Sequence, residues 1–344
     1  MKRTINWIAA ALVALGLTFT SQVVSAEDAK VETVVSGLSN PCGLAVQPTT
    51  GTVFIADSAA GRVVRVVDGK LEDVIVGYPK DIYGKGPKYD IGPLGLVFLD
   101  QNTLVVGDGG FVDGEEFVRV FTVPAPGGKA LDFDKDVKAK LGPLAATDDV
   151  KPEGNLYGLA ATANAIYVTC NGDDTKGWVS KIDIDGTKFG PLTRSIATKE
   201  QVEVDAPVGV TISPRGEVVI GQMGEINKPH DGLVTFYSAK TGKSILNLEA
   251  GLYDITGIAY SPKGLLYATD FAWMAPTEAG LFRLDQSEVD GKQTIKPVKI
   301  ASLDKPTAIA FGKDGEMYIT VIGPTEEGSQ AGTKGSLVKI APGL

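Results

Sequence analysis

One motif recurs six times along the chain at a nearly constant interval. A small residue followed by an aliphatic one opens a strand-like run at Gly43-Leu44, Gly95-Leu96, Gly158-Leu159, Gly209-Val210, Gly257-Ile258 and Ala308-Ile309. Proline stands two residues ahead of the pair in four copies, at Pro41, Pro93, Pro207 and Pro306. Successive intervals are 52, 63, 51, 48 and 51 residues. Self-similarity at such a period restricts a chain to repeat architectures, in which one small unit is stacked on copies of itself.

The unit itself is all β. After the pair comes a turn built on Pro and Gly, such as Ser213-Pro214-Arg215-Gly216 or Ser261-Pro262-Lys263-Gly264. Pro presets φ in such turns and Gly supplies positive φ. A second apolar strand follows, as in Ile166-Tyr167-Val168-Thr169 or Leu266-Tyr267-Ala268-Thr269. A loop of variable length leads to a third strand with alternating polarity, and a weaker fourth strand precedes the next pair. Four short antiparallel strands every 50 or so residues are the signature of propeller blades. Six copies therefore predict a six-bladed β-propeller.

The ends of the repeat predict how the ring closes. The last copy stops after its third strand, whereas residues 31–36 (Val-Glu-Thr-Val-Val-Ser) resemble a fourth strand without a blade of their own. The N-terminal strand is expected to complete the last blade, which removes the open edges of the array. Leu131 to Asn155 reads as an insertion that accounts for the single long interval, with a short helix expected over Asp132 to Leu141. Ahead of the repeats, Lys2 and Arg3, an apolar stretch from Ile8 to Phe19 and the small residues Val24-Ser25-Ala26 have the form of a secretory signal peptide. This predicts export to the periplasm or beyond, cleavage before Glu27, and one propeller domain over 27–344. No other apolar run approaches the roughly 20 residues of a membrane span.

Composition narrows the partners. Acidic residues outnumber basic ones 42 to 33, the net charge is −9, and no run of Lys and Arg exceeds two residues. Such a chain lacks the clustered cations that hold a phosphate backbone, which excludes nucleic acid. The two cysteines, Cys42 and Cys170, form no disulfide framework; they fall two blades apart and are expected to be separate buried thiols.

At Val53-Phe54-Ile55-Ala56-Asp57 and Gly61-Arg62-Val63-Val64-Arg65 the repeats resemble NHL-repeat and gluconolactonase-type six-bladed propellers. The likeness covers nearly all of 31–344. It implies the architecture and leaves the activity open, because this fold carries hydrolases, dehydrogenases, lyases and binding proteins. Gluconolactonase-type chains normally open with a Glu-Gly-Pro-x-Trp-like stretch whose Glu holds a metal. Here the matching stretch is Ser39-Asn40-Pro41-Cys42-Gly43, without that Glu.

In a propeller, the loops before the first strand and after the second gather around one tunnel mouth. The second strands end on Asp57, Asp108, Cys170, Gln222, Asp270 and Val321, and the first strands are preceded by Asn40, Asp90, Asn155, Asp205, Asp254 and Asp304. Calcium takes six to eight oxygen ligands, so Asp57, Asp108, Asn155, Asp205, Asp254 and Asp270 are candidate calcium ligands. The same residue types cap turns and satisfy loop N–H groups. The loop from Asp108 to Glu116 carries the same two readings, cation loop or acidic hairpin. His230 is the only histidine, which excludes a multi-His zinc site. Tyr83, Tyr89, Gln222, His230, Trp273 and Met274 are predicted to form a binding face. The first reading is thus an exported, monomeric, non-catalytic module that binds a small molecule or a protein on its loop face. The alternative is a calcium-dependent lactone or ester hydrolase with its site at the tunnel mouth.

Overall fold

A computed structural model of the protein describes residues 29–84, 87–172, 175–325 and 334–343. The signal-peptide expectation over 1–26, and the middle of the polar loop between Thr325 and Lys334, lie outside them. Six antiparallel sheets follow one another around an axis. From the axis outward, blade 1 is Pro41–Val46, Val53–Asp57, Arg62–Val67 and Lys70–Val76. Blades 2 to 6 repeat the pattern, their innermost strands being Pro93–Phe98, Leu156–Ala161, Pro207–Ile212, Ile255–Tyr260 and Pro306–Phe311. No helix among the described residues is long and apolar enough to cross a membrane.

The ring closes as the sequence predicts. Val31–Leu38 pairs antiparallel with Gly335–Ile340 as the outer strand of blade 6. Its last residue, Leu38, is fully buried with Leu337, Leu44, Ile55 and Val64 at the seam between the last blade and the first.

The inner strands carry the glycines of the repeat for a steric reason. A Cβ on Gly43 would lie 2.0 Å from the carbonyl oxygen of Leu94 in the next blade, and one on Gly158 would lie 2.3 Å from that of Val208. Real Cβ atoms never approach so closely, so at these two positions only Gly lets neighbouring inner strands meet. Hydroxyls reinforce the contact: Thr307 donates to Pro41 O at 2.7 Å, Thr256 to Pro306 O at 2.8 Å and Thr169 to Val208 O at 2.8 Å. Further out, each seam between blades holds one hydrophobic cluster. Phe54, Ala56, Leu104 and Phe121, for example, fill the seam between blades 1 and 2.

The helix expected over Asp132 to Leu141 is not formed. Leu131–Asp132 adds to the edge of blade 1 as a short parallel strand, and Ala139–Leu141 is the fourth strand of blade 2. The Asp132 carboxylate accepts the N–H groups of Asp134 and Lys135 at 3.1 and 3.0 Å. This local capping competes with helical hydrogen bonds. The insertion instead straps blades 1 and 2 together through these two pairings, and just ahead of it Arg65 donates to Pro124 O and Ala125 O at 2.6 Å each.

Deleting residues 29–37 removes the closing strand and leaves blade 6 with an unpaired edge. Because stacked blades stabilise one another through their interfaces, the loss is expected to spread around the ring. Thermal melting of the truncated protein should show a midpoint lower by about 10 °C or more; an unchanged midpoint would show that closure contributes nothing.

Candidate ligand site at the tunnel mouth

The mouth is built from a single backbone irregularity repeated six times. At the start of every inner strand the ladder register shifts just ahead of the small-aliphatic pair. A bulge of this kind re-aims a side chain that regular alternation would send elsewhere. The residues at these shifts are Cys42, Leu94, Tyr157, Val208, Thr256 and Thr307, and all six line the base of one cavity. Its volume is about 60 Å³, and it opens outward to solvent.

Aromatic rings form the walls. A two-stranded excursion between blades 1 and 2, Asp81–Tyr83 paired with Tyr89–Ile91, brings Tyr83 and Tyr89 over the mouth. The loop after the second strand of blade 5 meets them with Phe271 and Trp273. Tyr89 stands edge-on to Trp273 with ring centroids 5.3 Å apart, Tyr83 at 6.1 Å, and Phe271 lies against the indole at 5.0 Å. Few polar groups reach this space. Asn171 donates from Nδ2 to the Tyr83 hydroxyl at 2.8 Å, and the Tyr157 hydroxyl donates to Thr307 O at 2.9 Å. The indole N–H of Trp273 is buried without an acceptor among the described residues.

The lining is electrically neutral. Burial pushes the Cys42 thiol and the Tyr89 phenol each up to about 12, and holds the Tyr157 phenol well above its ordinary value. Cys42 is therefore a protonated thiol, which is a poor nucleophile. Among the described lining residues there is no carboxylate, histidine, lysine or arginine. A wider, more polar vestibule sits outside; it shares Tyr83, Asn155, Asn171 and Met223 with the inner cavity, and its rim includes the exposed side chains of Ile82 and Met274.

The residues singled out from the sequence divide between the two spaces and the frame. Tyr89 and Trp273 line the inner cavity, Tyr83 and Asn155 line both, and Asp205 and Met274 line the vestibule. The other two binding-face candidates lie in neither lining. Gln222 is buried within blade 4, donating to Val204 O and accepting from Thr235 Oγ1 at 3.0 Å. His230 is exposed, with Nδ1 3.0 Å from Gly251 O and its ring against Tyr253.

The remaining carboxylates hold loops. Asp57 accepts from Ser39 N at 2.6 Å and from Arg62 at 2.8 Å, and Asp270 from the N–H groups of Tyr253, Asp254 and Ala272. Asp108 forms an ion pair with Arg119 at 2.9 Å, both fully buried. Burial raises Asp108 to about 6 in spite of that partner. In the acidic loop beyond it, Glu116 turns back to accept from Asn155 N, and burial raises it to about 9. Among the described residues, no three His, Cys, Asp or Glu side chains are grouped so as to hold a metal ion. Of the six candidates only Asn155 and Asp205 reach the vestibule, and the Asp205 carboxylate already holds the Lys199 ammonium.

Apart from Cys42, the floor residues escaped the sequence reading, although their position is legible in it as the variable residue of the Pro-x-Gly repeat. No family model and no curated protein matches the chain. Among solved structures it is similar to a glucose dehydrogenase (14% identity, 91% of this chain and 100% of that one covered, TM-score 0.59). It is also similar to a gluconolactonase from Xanthomonas campestris (16%, 91% and 90%, 0.55). A third is a calcium-binding protein, regucalcin, from Agrobacterium tumefaciens (14%, 91% and 94%, 0.52). The neighbours are thus gluconolactonase-like six-bladed β-propellers, and identities this low carry the fold alone.

Asp254 couples the site to pH. Its carboxylate accepts the backbone N–H of Trp273 at 2.5 Å, and burial raises it to about 7. Between the ordinary carboxyl value and 7 the folded chain keeps a proton that the unfolded chain has lost. The contribution of Asp254 to stability therefore falls as pH rises through that window. Asp254→Asn keeps an acceptor for Trp273 without the charge. Its melting midpoint relative to wild type should rise by about 3 °C or more between pH 5 and pH 8; a pH-independent difference would show that Asp254 is ionised throughout.

Proposed function

We propose that the tunnel mouth is the binding site for a small, uncharged, largely apolar molecule that carries at least one ring. The observation that carries this reading is the inner cavity, with five aromatic side chains (Tyr83, Tyr89, Tyr157, Phe271 and Trp273) in its lining and no ionisable group that is charged at neutral pH. Its lining has the character of small-molecule sites, which are mostly apolar with a few placed polar groups. The leftover Trp273 N–H supports a ligand with a hydrogen-bond acceptor, since a buried donor is costly when unpaired. A protein partner fits less well, because the apolar surface is sunk below the rim. We also propose that the chain is exported and works outside the cytoplasm, on the strength of its N-terminal 26 residues. Recovery of a periplasmic or secreted form beginning at Glu27 supports this, and a cytoplasmic full-length form refutes it.

A second reading makes the same cavity an enzyme's. The names of the structural neighbours, a gluconolactonase and a glucose dehydrogenase among them, favour it over a non-catalytic role. The lining weighs the other way, since it offers no group with the pKa of a general base at neutral pH and no activated nucleophile.

Two measurements separate these readings. An uncharged fluorescent probe such as N-phenyl-1-naphthylamine should bind the wild-type protein, and Trp273→Ala should weaken it about tenfold by removing one aromatic wall. Unaltered binding in that variant would move the site elsewhere. EDTA should leave the melting midpoint unchanged; a marked fall, together with calcium-dependent lactone hydrolysis, would establish the enzyme reading.

A further inference from the structure

Of the six residues that the bulges aim into the mouth, Tyr157 is the one aromatic side chain. It starts from blade 3, and its hydroxyl donates to the carbonyl oxygen of Thr307 in blade 6 at 2.9 Å. Blades 3 and 6 stand opposite each other in a ring of six, so the side chain crosses the tunnel from wall to wall. Tyr157 lines the mouth cavity above, and it also lines a second cavity below, of about 60 Å³. That lower space is bounded by the repeat pairs themselves, Gly43-Leu44, Gly158-Leu159, Gly209-Val210 and Gly257-Ile258 among them. Val208 and Thr256 also line both spaces. The two cavities are therefore consecutive stretches of one tunnel with Tyr157 as the bar between them.

We propose that Tyr157 is a specificity-determining residue: it fixes the depth of the mouth site and selects compact ligands over elongated ones. This rests on the reading of the mouth as a small-molecule site. The other five floor residues are Cys, Val, Leu and two Thr, none of which spans the axis. Removing the Tyr157 ring joins the two cavities, and an extended apolar tail can then descend along the axis. Removing only its hydroxyl leaves the bar in place, because the ring itself fills the cross-section.

A graded series of 4-alkylphenols, from propyl to nonyl, competed against N-phenyl-1-naphthylamine, reads this depth directly. In wild type, affinity should rise with chain length and then stop rising. Tyr157→Ala and Tyr157→Leu should move that limit to longer chains, with the nonyl member bound about tenfold more tightly than by wild type. Tyr157→Phe should keep the wild-type limit, and the Leu variant serves if the Ala variant does not fold. An unmoved limit in both shortened variants overturns the inference while leaving the mouth site standing. A limit shifted as far in Tyr157→Phe overturns it too, because the hydrogen bond rather than the ring would then set the depth. Binding of the series by neither wild type nor any variant overturns this inference and the mouth reading together.

Discussion

The contact on which the structure depends is the approach of neighbouring inner strands across the repeat glycines. Where Gly43 meets Leu94 and Gly158 meets Val208, the space left has no room for a side chain. Any larger residue would push the blades apart at the axis and open the seams behind them. The hydrophobic clusters of those seams pack only if the inner strands already touch, so a local steric rule governs the long-range geometry. The sixth copy carries Ala308, and there Thr307 and Thr320 reach the carbonyl oxygens of Pro41 and Cys42 to close the ring.

The same spot makes the site. The bulge ahead of each small-aliphatic pair turns one side chain per blade toward the axis, and six such residues become a floor. The floor is neutral and the walls are aromatic, while the carboxylates around the mouth mostly face the loop backbone. Asp57 and Asp270 between them accept four backbone N–H groups that would otherwise be buried without partners. A carboxylate engaged in this way is part of the frame. Acidic residues around the rim and an apolar interior are two consequences of one requirement, since sharp loops over a hydrophobic mouth need strong acceptors to fix them.

Much of this was legible in the residue order. The period, the number of blades and the closing strand follow from where small-aliphatic pairs and unpartnered strand runs fall. The ends of the second strands were also readable, since all six terminate where the pattern places them, from Asp57 to Val321. Less legible was the use of each side chain. Asp254 and Asp205 occupy similar places in their repeats, yet one holds the Trp273 backbone and the other pairs with Lys199. Gln222 sits at a mouth position but is consumed inside its own blade. Asp132 to Leu141 has helix-compatible residues, but capping by Asp132 and pairing with two different blades outweigh propensity there. The floor went unread because the variable residue of a repeat looks like noise until six copies are placed on one circle.

The central claim is that the tunnel mouth is an occupied cavity in the working protein. A crystal soaked with 4-propylphenol, an uncharged compound with one ring, tests it most directly. The expected result is ligand density inside the ring of six floor residues, resting on Tyr157 and flanked by Trp273 and Tyr89. Density confined to the outer surface or to a groove between blades, with the mouth filled by ordered water alone, would contradict it.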